Sequence, residues 1–135
     1  MRANPDFAAR ESGLRAARLP VAARIRTLSG MKIADVRATP LNLPVTVGSG
    51  SRTKSTSLSV CIVEVELDDG RIGCGMTAIT EEEVIGSIVN DIAAHALKGM
   101  DPLRHEQVWD KLFWLLVPRG QSGYASHAIA AIDLA

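Results

Sequence analysis

Aromatic residues are scarce in this chain of 135 residues: two Trp, two Phe and one Tyr make up 4% of it. Cysteine is scarcer still, with only Cys61 and Cys74. Two isolated thiols build no disulfide framework and match no zinc-ligand spacing. No apolar run approaches the ~20 residues that a membrane-spanning helix needs. Net charge is zero, so the basic excess of a nucleic-acid-binding domain is missing. What remains is an ordinary globular composition, 47% hydrophobic and 22% charged, with room for one domain. Each cysteine sits in an apolar pattern, so both are expected to be buried thiols in a reducing, cytoplasmic setting.

Charge is unevenly placed. Residues 1–30 carry six Arg and no Lys against Asp6 and Glu11, while the rest holds nine basic and thirteen acidic residues. The first thirty residues also lack the apolar core of a secretory signal. They fit an organelle transit peptide, a disordered tail or an extension upstream of a start at Met31. The last reading is preferred, because "MKIADVRATPLNLP" opens at once with strand-forming residues. No function is assigned to residues 1–30.

Residues 32–43 read as a strand with Ala34, Val36 and Ala38 on one face and Pro40 at an edge or bulge. "PVTVGSGSRTKSTS" reads as a long polar loop. In "LSVCIVEVELDDGRIGCGM", Val63, Val65 and Leu67 alternate with Glu64 and Glu66, so one face is buried and one wet. Asp68-Asp69-Gly70 supplies the turn. On the return strand Ile72, Cys74 and Met76 alternate with Gly73 and Gly75, the glycines allowing close backbone packing. Thr80 and Glu83 have the spacing of a capping box. A helix follows with Ile85, Ile88, Val89, Ile92 and Ala96 as its stripe, stopped by Gly99. Asp101-Pro102 is expected to start a second helix, with His105, Val108, Trp109, Leu112 and Phe113 inward and Val117-Pro118 as its stop. A third pattern begins near Gly123, after "RGQSG", and is still apolar at Leu134-Ala135, where the sequence stops as if cut.

The stretch from Gly48 to Ser55 approximates a phosphate-binding loop, with Thr53 where the second glycine belongs. Such a loop must lead into a helix that presents its N–H groups to phosphate. "STSLSVCIVEVEL" is strand-like instead, so nucleotide binding is rejected. Arg52 and Lys54 are the loop's only charges. One reading is a mobile flap offering cationic donors to an anionic small molecule; the other is a solvated loop with incidental charges, which composition alone favours. His95, His105 and His127 have no ligand partner at metal spacing and are given structural roles. Glu81, Glu82 and Glu83 point about 100° apart on a helix and do not converge. Trp109, Phe113 and Trp114 read as core with an interface edge. No catalytic residue and no metal ligand is assigned.

The order of three strands then helices carries a resemblance. "MKIADVRATPLNLP", "VEVELDDGRIGCGM", "DPLRHEQVWDKL" and "GQSGYASHAIAAIDLA" together resemble the N-terminal domain of the mandelate racemase and muconate lactonizing enzymes, members of the enolase superfamily. The resemblance spans residues 31–135. It implies an α+β fold, a three-stranded antiparallel meander followed by a helical bundle, which caps a (β/α) barrel absent from this sequence. Residues 31–124 would form the capping domain, and 125–135 the truncated start of the helix leading into the barrel.

The resemblance further implies Mg²⁺ held by barrel carboxylates, and Lys or His bases that take the proton beside a substrate carboxylate. None of those residues matches a position here, so this chain alone is expected to be inactive and to bind no metal. The loop 45–57, with Arg52, Thr53 and Lys54 at its centre, matches the flap that folds over the barrel mouth, and Thr77 to Thr80 a second specificity loop. "RTK" is similar to loops of sugar-acid dehydratases acting on galactarate or talarate, which implies an anionic, polyhydroxylated substrate. Met76 departs from the pattern, since many members carry Glu after the G-x-G of the third strand. The implied partners are a sugar acid, the protein's own barrel and further copies in a homo-oligomer, with no nucleic acid and no membrane. The alternative is a stand-alone interaction or oligomerisation module without catalysis.

Overall fold

The computed structural model describes residues 30–117 and 122–135. Most of the N-terminal extension, Pro118 and most of the "RGQSG" loop lie outside the described residues. Three antiparallel strands, β1 (Ile33–Ser49), β2 (Arg52–Leu67) and β3 (Ile72–Ala78), form a sheet in the order β1-β2-β3. Helices then cover one face. First come α1 (Glu82–Ser87), a π-helical stretch (Ile88–Ala93) and α2 (Ala94–Leu97), joined end to end. They are followed by α3 (His105–Leu115) and α4 (Tyr124–Leu134). This is the α+β meander and helical layer that the sequence implies.

Alternation fixes the sheet's inner face. Cys61, Val63 and Val65 of β2 are buried against the helices, with Glu64 and Glu66 on the opposite side. A register shift between Ile33 and Asp35 inserts an extra residue, so Ile33 and Val36 both face inward although their spacing is odd. Ala34 is therefore half-buried and sits outside the row expected for it. On the outer face Arg37 lies 3.7 Å from Asp35, 3.8 Å from Glu64 and 3.2 Å from Glu66. These exposed pairs contribute little each.

The third strand inverts the sequence reading. Ile72, Cys74 and Met76 are exposed, and Gly73 and Gly75 face the helices. The cause is the approach of α4. A Cβ on Gly73 would collide with the carbonyl oxygen of Ala135, and one on Gly75 with that of Ala131. Only glycine lets helix backbone and strand backbone come this close. Cys74 is consequently a surface thiol; of the two cysteines only Cys61 is buried, and burial pushes its thiol pKa up, with Glu82 and Glu83 adding to the shift.

Helix details also differ. Ile85, Val89, Ala93 and Leu97 are fully buried in one row. An i+4 row drifts about 40° per step around an α-helix; the wider π turn with i→i+5 bonds takes up that drift. Ile92 is exposed in consequence, and Ile88 and Ala96 are half-buried. Gly99, at φ 82°, ends the helix as its position suggests. Thr80 does not cap α1: Glu81 is the N-cap residue and makes no side-chain cap bond. Asp101 Oδ1 accepts from Leu103 N at 3.0 Å, closing a turn, so α3 starts at His105 rather than at Pro102. Val108 and Leu112 are its buried residues, whereas His105 and Trp109 are exposed. Trp109 stacks on Phe113 at 5.0 Å, and Trp114 donates through Nε1 to Asp110 at 3.0 Å. The two tryptophans are thus surface residues and not core.

Candidate functional site

The stretch read as a polar loop is a two-stranded ribbon. Pairing continues without a break from Asn42↔Ser59 to Ser49↔Arg52, and Gly50 turns the chain at φ 61°. Thr, Val and Ser at these positions suit a ladder whose stability comes from cross-strand pairs rather than burial. Pro40 and Pro44 sit where β1 would otherwise direct an N–H away from β2, so neither interrupts the ladder. β2, not a helix, follows Lys54, which removes the geometry a phosphate loop needs.

Alternation divides the three site residues expected in this segment. Arg52 and Lys54 lie on one face with Val47, the partner of Lys54. Thr53 lies on the other, in a row with Ser55, Ser57 and Ser59.

At the base of the ribbon lies a cavity of about 390 Å³. Ser57 and Ser59 of β2, Ile79, Thr80 and Glu81 of the connection to α1, and Tyr124 and His127 of α4 line it. The two segments singled out in the sequence, the flap and Thr77 to Thr80, therefore meet here. Arg52 and Lys54 are not part of the lining. Lys54 is three residues beyond Ser57, about 10 Å along the ribbon at the usual strand rise. Tyr124 and His127 are site residues that sequence reasoning missed, whereas Ile79 falls within the 77–80 segment it singled out; the helical pattern around His127 carried no sign of a cavity.

Two features hold the site in place. The Glu82 carboxylate, nearly buried, accepts from Asn42 Nδ2 at 2.8 Å. Hydrogen bonding from Ser59, then from Asn42, holds this carboxyl below the usual carboxylate range. The ribbon's base is thereby tied to α1 from both of its strands. The second feature is Ile79, the sole non-glycine residue with positive φ among the described residues, at 62°, with 85% of its surface exposed. A β-branched residue in that region is strained.

The site offers hydroxyls, an imidazole and a phenol, which suits binding of a polar molecule. Among the described residues no three His, Cys, Asp or Glu side chains converge on a common point. No helix among the described residues is long and apolar enough to cross a membrane.

Comparison with known proteins follows the same line. No protein-family model matches the chain. An L-rhamnonate dehydratase of Saccharopolyspora erythraea is 36% identical over 78 residues, 58% of this chain and 20% of its own length. The solved structure of a mandelate racemase/muconate lactonizing enzyme from Polaromonas sp. JS666 superposes with a TM-score of 0.63 at 28% identity, covering 76% of this chain and 27% of its own. These likenesses bear out the chain's resemblance to the mandelate racemase and muconate lactonizing enzymes of the enolase superfamily. Its fold is that of the superfamily's N-terminal capping domain. Another superfamily member, the L-talarate dehydratase of Polaromonas sp. JS666, was solved with Mg and L-glucarate. It gives a TM-score of 0.65 at 28% identity over 77% of this chain and 30% of its own. The chain thus spans between a fifth and a third of the length of these superfamily relatives.

Proposed function

We propose that this chain is the substrate-facing cap of an enolase-superfamily enzyme that removes the proton alpha to a carboxylate of a sugar acid, as a dehydratase or a racemase-like isomerase. The observation that carries the reading is the meeting of the ribbon and the 77–80 connection at one hydroxyl-lined cavity. Similarity to enzymes named for rhamnonate and talarate supports the substrate class. In this proposal the catalytic bases and the Mg²⁺ ligands belong to a barrel outside the present sequence, and the 135-residue chain alone is inactive. Mg²⁺, where bound, would supply positive charge to the carboxylate undergoing reaction.

The cap's own residues bind and orient. Ser57, Ser59 and Thr53 present hydroxyls along one ribbon face toward the substrate's own hydroxyls. Arg52 and Lys54, at the tip, supply charge-assisted bonds to a carboxylate; the strong twist of a two-stranded ribbon brings their long side chains round. Glu82 holds the ribbon's root in place.

The test is steady-state kinetics of the full-length gene product with aldaric and aldonic acids. Arg52→Ala and Lys54→Ala should each raise KM about 10–100-fold, the loss expected for a hydrogen bond to a charged group, with a smaller change in kcat. The 135-residue chain with Mg²⁺ should show no turnover. Turnover by the short chain, or an enzyme indifferent to both substitutions, would overturn the proposal. A second reading, an interaction module without catalysis, is supported by the exposure of Trp109 and Trp114. A reading frame that ends at codon 135 in the gene would favour it.

A further inference from the structure

Glu81 is exposed and lines the cavity at the ribbon's base. It makes no side-chain cap bond at the start of α1, which leaves its carboxylate available to a bound molecule. Among the described residues of the lining, it is the only Asp, Glu, Lys or Arg. A second carboxylate stands behind Ser59: that of Glu82, nearly buried and bonded by Ser59 and by Asn42. A protonated His127 would set one positive charge against these two negative ones. Lys54 and Arg52 stand about 10 Å or more up the ribbon from Ser57 at the usual strand rise.

Hydrogen-bonding capacity points the same way. An ionised carboxylate accepts and never donates, and a hydroxyl has one proton to give. Ser59 gives its proton to Glu82, so toward the cavity it offers lone pairs, as Glu81 does. Both groups call for O–H donors. The wall also has an apolar part, made by the Tyr124 ring and by Ile79, 85% exposed and held at φ 62°. That part suits the carbon end of a chain.

We propose that this cavity is a subsite for the uncharged, hydroxyl-bearing end of the substrate, and that Glu81 makes the enzyme select aldonic acids, with one carboxylate, over aldaric acids, with two. The inference rests on the cap reading and narrows its substrate class. Relatives named for rhamnonate, a monocarboxylic acid, and for talarate, a dicarboxylic one, leave that number open. An aldonic acid keeps its carboxylate away from Glu81, donates its far hydroxyls to Glu81 and Ser59, and packs its last carbon on Ile79. The aldaric acid of the same sugar brings a second carboxylate against Glu81, with no proton to give it. Selection therefore comes from a repulsive contact as well as an attractive one.

The test compares kcat/KM of the full-length enzyme on pairs of aldonic and aldaric acids, each pair sharing one hexose configuration. The aldonic acid should be favoured at least about tenfold, a modest share of what juxtaposed like charges cost. Glu81→Gln keeps the side chain's shape, removes its charge and adds an N–H donor. It should cut the preference at least about threefold, chiefly through the aldaric acid's KM. Glu83→Gln makes the same change two residues on, at an exposed position outside this lining, and should leave the preference as it is. An aldaric acid used as well as its aldonic counterpart overturns the inference and leaves the sugar-acid reading standing. So does a preference that Glu81→Gln does not move, or that Glu83→Gln moves as far. Turnover of neither series overturns the sugar-acid reading, and this inference with it.

Discussion

Asn90 exchanges two hydrogen bonds with the backbone of Ala38: its Oδ1 accepts from Ala38 N at 2.8 Å, and its Nδ2 donates to Ala38 O at 3.0 Å. A side chain in the π-helical stretch thus completes a strand that, among the described residues, has no neighbouring strand on that side. Asn90→Ala should cost about 1–2 kcal/mol, since both backbone groups lose their partner but water can reach them in part. Urea unfolding measures this.

Gly75→Ala tests the contact between β3 and α4. The added methyl meets the Ala131 carbonyl, which is helix backbone and cannot rotate away. A loss of about 1–3 kcal/mol is expected, the range for forcing extra volume into a packed interface. Gly48→Ala is the control: its nearest neighbour would be Arg52 O at 3.7 Å, and its φ is not positive. That change should stay within about 0.5 kcal/mol.

Ile79→Gly relieves a strained backbone. The left-handed conformation costs a β-branched residue on the order of 1–3 kcal/mol, and glycine's extra freedom in the unfolded chain returns about 0.5–1 kcal/mol of this. Little burial is lost from so exposed a side chain. A net gain of about 1 kcal/mol is expected on thermal or urea unfolding. A loss would mean that the isoleucine is held there by packing.

Glu82 should make stability depend on acid. Its carboxyl pKa is lowered in the fold, first by Ser59 and then by Asn42. A lowered folded value means that the contribution is fully present above the ordinary carboxylate range, near pH 4.3, and is lost as pH falls through the folded value. Glu82→Gln should therefore melt below wild type at pH 7, and the gap should narrow below about pH 4. Equal gaps at both pH values would show that ionisation is irrelevant.

Much of the sheet could be read from side-chain pattern because burial dictated it. Val63 and Val65 against Glu64 and Glu66, the Asp69-Gly70 turn and the Gly99 stop each have a local cause written in residue type. Nothing of the sort marked the ribbon. Its strands bury almost nothing, so Ser, Thr and Gly looked like a loop even though every residue pairs. On β3 the reading was inverted because the buried face was selected by how closely a distant helix approaches, and glycine records that approach by having no side chain. Thr80 and Asp101 made plausible caps, but Thr80 Oγ1 lies 3.3 Å from Thr77 Oγ1 and Asp101 closes a turn. In the site, Arg52 and Lys54 stood out by charge and the 77–80 segment by its family resemblance, whereas Tyr124 and His127 became visible only where three elements converge.

The ribbon keeps Arg52 and Lys54 on the side opposite the row of Thr53, Ser55, Ser57 and Ser59 through parity alone. Lengthening both strands by one residue would exchange the two sides wholesale, presenting Arg52 and Lys54 where Thr53 had been. Lengthening them by two would merely extend the reach. Viable insertions and deletions in this arm should therefore come in even steps, a constraint on engineering it that no single substitution would reveal.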